Sequence, residues 1–285
     1  MSDPGTRDLD ARAAELRRLL AELPRAVVAF SGGVDSSLLA AAAVEALGDR
    51  ALAVTGVSPS LAPAEREEAR RVAAAIGIAH REIETHEIDR PGYVENSPER
   101  CFECKDELYS LLDALAREDL GDAVVLDGAN ADDSGDFRPG RRAAKAHGVR
   151  SPLAEAGFTK ADVRALAKRL GVPTWDKPAM ACLASRIPYG SEVTPDKLRQ
   201  IAEAELELRK LGLRELRVRH HDRVARVELG PEELARALAE PLRSRIVEAV
   251  KGAGFAYVTV DLEGFRSGSM NEVLPLTIAE TANAP

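Results

Sequence analysis

The clearest periodic pattern in the chain begins at Ala26, where the apolar run AVVAF (Ala26 to Phe30) gives way to a helical, alanine-rich stretch from Val34 to Leu47. The same rhythm returns along the next hundred residues. ALAVTGV (Ala51 to Val57), a helical pattern from Ala64 to Ile76, HREIET (His80 to Thr85), a helix after Cys101 and AVVLDGA (Ala123 to Ala129) follow in order. Runs such as AVVAF are apolar without alternation, as a strand covered on both faces requires. Their alternation with helices to about Val172 predicts an α/β fold, a doubly wound parallel sheet. Beyond a loop from Asp176 to Gly190 the pattern changes. A long helix (Pro195 to Leu211), two strands (Arg214 to His220 and Arg223 to Leu229), a helix (Leu242 to Gly252) and a strand (Ala256 to Leu262) predict a smaller C-terminal α+β domain of the ferredoxin-like kind. We therefore expect a nucleotide-binding domain over 1–177, a cysteine-bearing loop over 178–193 and an α+β domain over 194–285.

Composition narrows the function. The chain has 285 residues, 45% of them hydrophobic, and a net charge of -8. It can bury a real core, and its acidic balance disfavours a general nucleic-acid or anionic-membrane binder, which points to a small substrate. The apolar stretch from Ser36 to Val44 is too short to span a bilayer, and Met1 to Asp10 is too polar for a signal peptide, so a cytoplasmic protein without membrane partners is expected.

The segment SGGVDSS (Ser31 to Ser37) joins the first strand to the first helix of this rhythm. A strand that enters a helix through adjacent glycines offers unpaired N–H groups at the positive end of the helix dipole, which is an anion cradle suited to phosphate. A Walker P-loop would add Gly-Lys-Ser/Thr, and no lysine follows here. Ser31, Ser36 and Ser37 offer hydroxyls beside Gly32 and Gly33, and Asp35 can hold Mg²⁺ against phosphate. Two glycines alone would equally suit a tight turn with Ser36 as a cap.

Three cysteines in such a chain suggest thiolate chemistry more than a disulfide framework. Cys101 and Cys104 form a CxxC at a predicted helix start, where the dipole would lower a thiol pKa. Cys182 lies in KPAMACLASRIPYG (Lys177 to Gly190), with Arg186 near enough in sequence to act in the same sense. Three thiolates plus one of His80, His86, His147, His220 or His221 could bind zinc, and three thiolates alone could hold a [4Fe–4S] cluster with one open iron. No histidine stands at finger-like spacing from the CxxC, which favours the cluster.

SGGVDSS resembles the S-G-G-x-D-S signature of the PP-loop ATP pyrophosphatases. VTGVSPS (Val54 to Ser60), LDGANADD (Leu126 to Asp133) and DFRPGRRAA (Asp136 to Ala144) resemble that superfamily's other nucleotide segments. The resemblance implies cleavage of ATP to AMP and pyrophosphate with adenylation of a substrate oxygen, and nucleotide contacts at Ser31, Gly32, Gly33, Ser36, Ser37, Ser58, Asn130 and Arg138. Over Leu16 to Leu274 the chain is similar to one branch, the LarE family of ATP-dependent sulfur transferases, through PAMACLASRIPYG, LRVRHHDRVARVE (Leu216 to Glu228) and DLEGFRSGSMNE (Asp261 to Glu272).

The resemblance implies adenylation of a carboxylate of pyridinium-3,5-biscarboxylic acid mononucleotide and replacement of oxygen by sulfur, toward the nickel-pincer nucleotide cofactor of lactate racemase. Cys182 matches the sulfur-donating position. In the three-cysteine subgroup a [4Fe–4S] cluster on Cys101, Cys104 and Cys182 delivers sulfide, whereas in the other subgroup a single cysteine surrenders its sulfur and becomes dehydroalanine. Arg217, Arg219 and Arg266 match positions that hold the substrate phosphate, Ser185 and Arg186 line the same pocket, and Glu205 and Glu228 order it. The family also implies a homo-oligomer, a hexamer of trimeric halves, supplied by a sulfide source. Rival readings are a tRNA thiolase, an ammonia-dependent synthetase and a nucleotide-binding regulator without chemistry.

Overall fold

A computed structural model of the chain describes residues 4–135, 139–178 and 181–266. Its helices are α1 (Pro4–Ala21), α2 (Val34–Leu47), α3 (Pro63–Ile76), α4 (Pro91–Val94), α5 (Arg100–Glu118), α6 (Pro139–Ala146), α7 (Pro152–Glu155), α8 (Lys160–Arg169), α9 (Pro195–Lys210), α10 (Pro231–Leu238) and α11 (Leu242–Gly252). Its strands are β1 (Ala26–Ala29), β2 (Ala51–Val57), β3 (Ala79–Glu84), β4 (Val124–Leu126), β5 (Leu216–His221), β6 (Val224–Leu229) and β7 (Tyr257–Val260).

The first four strands form a parallel sheet in the order β3-β2-β1-β4, with Ala26 opposite both Ala51 and Val124. Successive residues of β1 serve opposite faces. Ala26 and Val28 join the core under α1, α2, α3 and α8, while Val27 packs with Tyr109 and Leu112 of α5 and Ala143 of α6. That two-sided burial explains the unbroken apolar run. Helix α2 is buried nearly all round, and its alanines let α1, α3 and α8 close over it. Strand order reverses between β1 and β4, so the loops after these strands open the crevice where ligands of such sheets bind.

The second sheet has the order β5-β6-β7. β5 and β6 form an antiparallel hairpin, and β7 returns parallel and directly beside β6. This differs from the ferredoxin-like expectation, in which another strand would separate the parallel pair. The return runs over α10 as well as α11, and α10 was not assigned from the sequence. Ala204 and Leu208 of α9 cover this sheet, while Leu198 and Ile201, earlier on the same helix, pack against Leu183, Ala184 and Ile187 of the cysteine loop. Among the described residues no helix is long and apolar enough to cross a membrane.

Candidate functional site

The SGGVDSS segment leaves β1 at the strand-order reversal and enters α2 through Gly33, whose position at the helix start carries no side-chain cap. Gly32 has φ +68°, and a Cβ there would stand 3.0 Å from the Ala69 backbone, so only glycine fits. Ser37 N reaches Gly33 O at 2.9 Å, which leaves the preceding first-turn N–H groups without helical acceptors. Ser31 and Ser36 hydroxyls lie 3.1 Å apart, and Ser36 also donates to Gly33 O. The Ser37 hydroxyl is fully buried and has no hydrogen-bond partner among the described residues. The segment is therefore not a serine-capped turn, and its geometry suits an anion.

β4 closes the other side. A Cβ on Gly128 would come within 2.8 Å of Ser36 N, so LDGA brings its backbone directly against the cradle. Asn130, buried in the next turn, donates from Nδ2 to Asp35 Oδ1 at 3.1 Å. Asn130, expected as a nucleotide contact, thus orients Asp35. The other Asp35 oxygen is taken by Lys160 Nζ, a partner from α8 with no local signal in the sequence. Ser58, expected at the nucleotide, sits at the end of β2 with its hydroxyl donating to Glu87. Arg138 lies outside the described residues.

The CxxC begins α5, and the Cys182 loop comes to meet it. Cys104 packs beside Tyr93, Leu183 and Ala184, and all three thiols are close enough to influence one another electrostatically. Two residues fasten the loop. Asn96, fully buried at φ +55°, donates to Ile187 O (3.1 Å), Pro188 O (2.8 Å) and Ser191 O (3.0 Å). Arg100 donates to Asn96 Oδ1 and, at 2.9 Å, to Ala184 O. Leu183 N also reaches Ser60 O, and Ser60 pairs with the Tyr93 hydroxyl, which ties the loop to the end of β2.

The helix start does not depress these thiols as expected. Cys101 is solvent-exposed, yet desolvation by the groups around it, with Cys182 nearby, pushes its pKa up against the opposing charge of Arg100. Burial, then Glu87 and Cys182, pushes Cys104 up to about 12. Desolvation outweighs the dipole here. Arg186 differs from expectation too. It is buried, forks onto Glu205 (2.9 and 3.1 Å) and donates to Ala181 O and Cys182 O, so it shapes the loop backbone. Two cations face the thiols: Lys105, beside Cys101 and Cys104, and Arg100, which is 4% exposed, has no carboxylate partner among the described residues and keeps a buried Nε without a hydrogen bond there.

No group of three or more His, Cys, Asp or Glu among the described residues is arranged to hold a metal ion. The histidines are spent elsewhere: His80 bonds Thr55, His147 bridges Asp106 and Asp113, and His220 bonds Gln200. His86 faces solvent near Asp89, and burial lowers the pKa of His221 on β5.

β5 carries Arg217 and Arg219 two residues apart, hence on one face. Arg219 donates to Ser185 O (3.0 Å) and pairs with buried Glu228 (2.6 Å). Arg217 lies over the Phe265 ring, and burial together with Arg186 brings its pKa down to about 10. Ser185 donates to Cys182 O at 2.7 Å. Glu205 accepts from both Arg186 and Val218 N, and Arg266 pairs with Glu263 at 2.8 Å. The arginines and cysteines singled out in the sequence thus lie on elements that touch one another. Sequence reasoning missed Asn96, Arg100, Tyr93, Glu87 and Lys160, of which only Arg100, abutting the CxxC, carried a local signal.

A family model described as asparagine synthase matches residues 12–132, which contain the cradle and the CxxC. The chain is 47% identical over 266 residues to an uncharacterised protein of Synechocystis sp., covering 93% of this chain and 99% of that one. It is 39% identical over 267 residues to the pyridinium-3,5-bisthiocarboxylic acid mononucleotide synthase of Lactiplantibacillus plantarum, covering 93% and 96%. A tRNA-specific 2-thiouridylase, MnmA, of Azorhizobium caulinodans is 32% identical over 194 residues, 54% of this chain and 49% of that one.

Proposed function

The chain belongs to the LarE family of ATP-dependent sulfurtransferases, and from that premise we propose that it converts pyridinium-3,5-biscarboxylic acid mononucleotide to the thiocarboxylate with sulfur delivered at three cysteines. The observation that carries the reading is that the Cys182 loop meets both the CxxC helix and the arginine face of β5, in a chain whose first strand ends in an uncapped glycine turn suited to phosphate.

In this reading the cradle and Asp35, with Mg²⁺, hold the triphosphate of ATP. A substrate carboxylate oxygen attacks the α-phosphorus, the bond to the bridging oxygen breaks, and its electron pair leaves on pyrophosphate. Arg217, Arg219 and Arg266 hold the substrate's own phosphate, as guanidinium forks do. Arg217, desolvated and beside Arg186, gains from an arriving anion. The residues around the thiols suit a thiolate-bound anionic group, since buried Arg100 offers it a positive charge and an unused Nε–H. When bound there by Cys101, Cys104 and Cys182, a [4Fe–4S] cluster supplies an open iron position for exogenous sulfide. The 1–177, 178–193 and 194–285 units then correspond to adenylation, sulfur delivery and substrate phosphate binding. We place the enzyme in the cytoplasm, as a hexamer.

The experiment is anaerobic reconstitution with iron and sulfide, followed by turnover with ATP, Mg²⁺ and the mononucleotide. Pyrophosphate and AMP should form with sulfur incorporation over many cycles. Release of ADP and phosphate, or dehydroalanine at position 182 with one sulfur per chain, would overturn this mechanism. The second outcome would select the sacrificial cysteine instead.

A further inference from the structure

Helix α6 touches both the CxxC helix and the chain beside β4, and a histidine fixes it between them. Its first turn lies against the CxxC: a Cβ on Gly140 would stand 3.0 Å from Lys105 Cγ and 3.5 Å from Cys101 O, while Arg142 pairs with Glu99 at 2.8 Å and lies over the Phe102 ring. Ala143 and Ala144 pack with Tyr109 and Leu112 of α5. Past the last turn, Arg150 N donates to Val125 O and Asp127 N to Arg150 O, so the chain leaves α6 along β4, the strand that leads to Gly128 and the cradle. His147 stands at that corner.

Its Nδ1 lies 2.9 Å from Asp113 Oδ2 and its Nε2 lies 2.9 Å from Asp106 Oδ1. The two carboxylates are two turns apart on one face of α5. A neutral imidazole has one N–H and would turn a lone pair toward one of them, whereas the imidazolium donates to both. Arg90 holds the other Asp106 oxygen at 2.7 Å and pairs in turn with Glu103 and Glu107, Lys105 lies over the Tyr109 ring beside the imidazole, and Arg117 lines with Asp113 and His147 a cavity of about 220 Å³ against β4. Burial opposes the charge on His147, yet the bonds to Asp106 and Asp113 outweigh it and raise the pKa. Resting on the function read above, we propose that His147 is a positioning residue: as the imidazolium it clamps α6 to the CxxC helix, and its deprotonation loosens α6 from Cys101 and slows sulfur transfer. Because folding raises the pKa, the clamp is complete below the ordinary histidine value of about 6.5 and is lost as pH rises through the folded value.

The test follows the His147 ring by NMR through a pH titration of the whole protein. It then compares wild type with His147→Gln and His147→Lys in hydrogen exchange over residues 140–147, corrected for intrinsic rates, and in sulfur transfer to the mononucleotide, between about pH 6 and about pH 9. The ring should titrate above about 6.5. In wild type, protection of α6 and the rate of sulfur transfer should fall together across that range by about tenfold or more, the loss of one charge-assisted bond. His147→Gln should be low at every pH, and His147→Lys, a cation throughout, should keep most of the acid-side rate at the alkaline end. A merely structural histidine would lower activity on replacement without moving the pH profile. A ring that titrates at or below about 6.5, protection indifferent to pH, or a wild-type pH profile in His147→Gln would overturn the clamp. The titration and exchange do not depend on sulfur chemistry. Protection that falls with pH as stated, in a protein that releases no pyrophosphate with the mononucleotide, upholds the clamp and refutes the function reading alone, whereas pH-indifferent protection in an active enzyme refutes the clamp alone.

Discussion

Asn96 offers the sharpest energetic test of how the cysteine loop is held. Its Nδ2 serves three carbonyls of the loop with two hydrogens, and its Oδ1 accepts from the Arg100 guanidinium. Two buried neutral hydrogen bonds contribute about 1 kcal/mol each, and one to a charged donor about 1.5–3 kcal/mol. Alanine at φ +55° adds about 1 kcal/mol of backbone strain. Asn96→Ala should therefore cost about 4–6 kcal/mol, a large share of the roughly 5–15 kcal/mol that holds a domain together. The measurement is urea unfolding, combined with hydrogen exchange over residues 183–191, whose protection should fall first. Asn96→Gly loses the same bonds but adopts the backbone angle freely, so it should agree with the alanine variant within about 1 kcal/mol. An Asn96→Ala loss below about 1 kcal/mol, or unchanged exchange in the loop, would show that Asn96 does not fasten it.

Changing Arg219 to Ala should weaken mononucleotide binding about tenfold or more while leaving ATP affinity intact, checked by calorimetry. The loss of Cys101 or Cys104 should abolish multiple turnover with sulfide, and full turnover in either alanine variant would exclude the three-thiol mechanism. Asp35→Ala should eliminate substrate-dependent pyrophosphate release, and release at the wild-type rate would remove Asp35 from the chemistry. Glu82 is held down to about 2 by Arg66 and Arg70. A depressed carboxylate stabilises the fold above its unfolded pKa of about 4.3 and loses that contribution as pH falls toward 2. The stability gap between wild type and Glu82→Gln should therefore close between those values, and a gap that persists at pH 2 would contradict it.

What could be read from the sequence was what repeats or announces itself locally. The unbroken apolar β1 signalled a sheet covered on both faces, and adjacent glycines before an alanine-rich helix signalled the cradle. The CxxC and the alternate arginines of β5 were equally plain. Long-range pairing was not. Nothing near Lys160 indicates that Asp35 will meet it, because the contact depends on α8 packing against α2 after a chain reversal. Asn96 has the left-handed backbone of a turn residue, but its side-chain partners lie more than ninety residues on. The upward shift of the CxxC thiols was missed for a related reason: the dipole of a helix start is local and visible, whereas desolvation of Cys104 by a loop from far along the chain is neither.

These long-range contacts give the Cys182 loop two independent anchors. On one side Asn96, Arg100 and Ser60 bind its backbone to the nucleotide sheet. On the other, Arg186 forks onto Glu205 of α9, and Arg219 of β5 donates to Ser185 O. Glu205 accepts at the same oxygen from Val218 N, so the loop, α9 and β5 meet at one carboxylate. A buried carboxylate shared in this way cannot release one partner without stranding charge, which makes the three elements move together or not at all. A phosphate arriving at Arg217 and Arg219 therefore acts on groups already bonded to the segment that presents Cys182. In the proposed reaction, correct seating of the substrate's phosphate and correct placement of the sulfur-bearing residue become one event, since the arginine that receives the first also holds the backbone of the second.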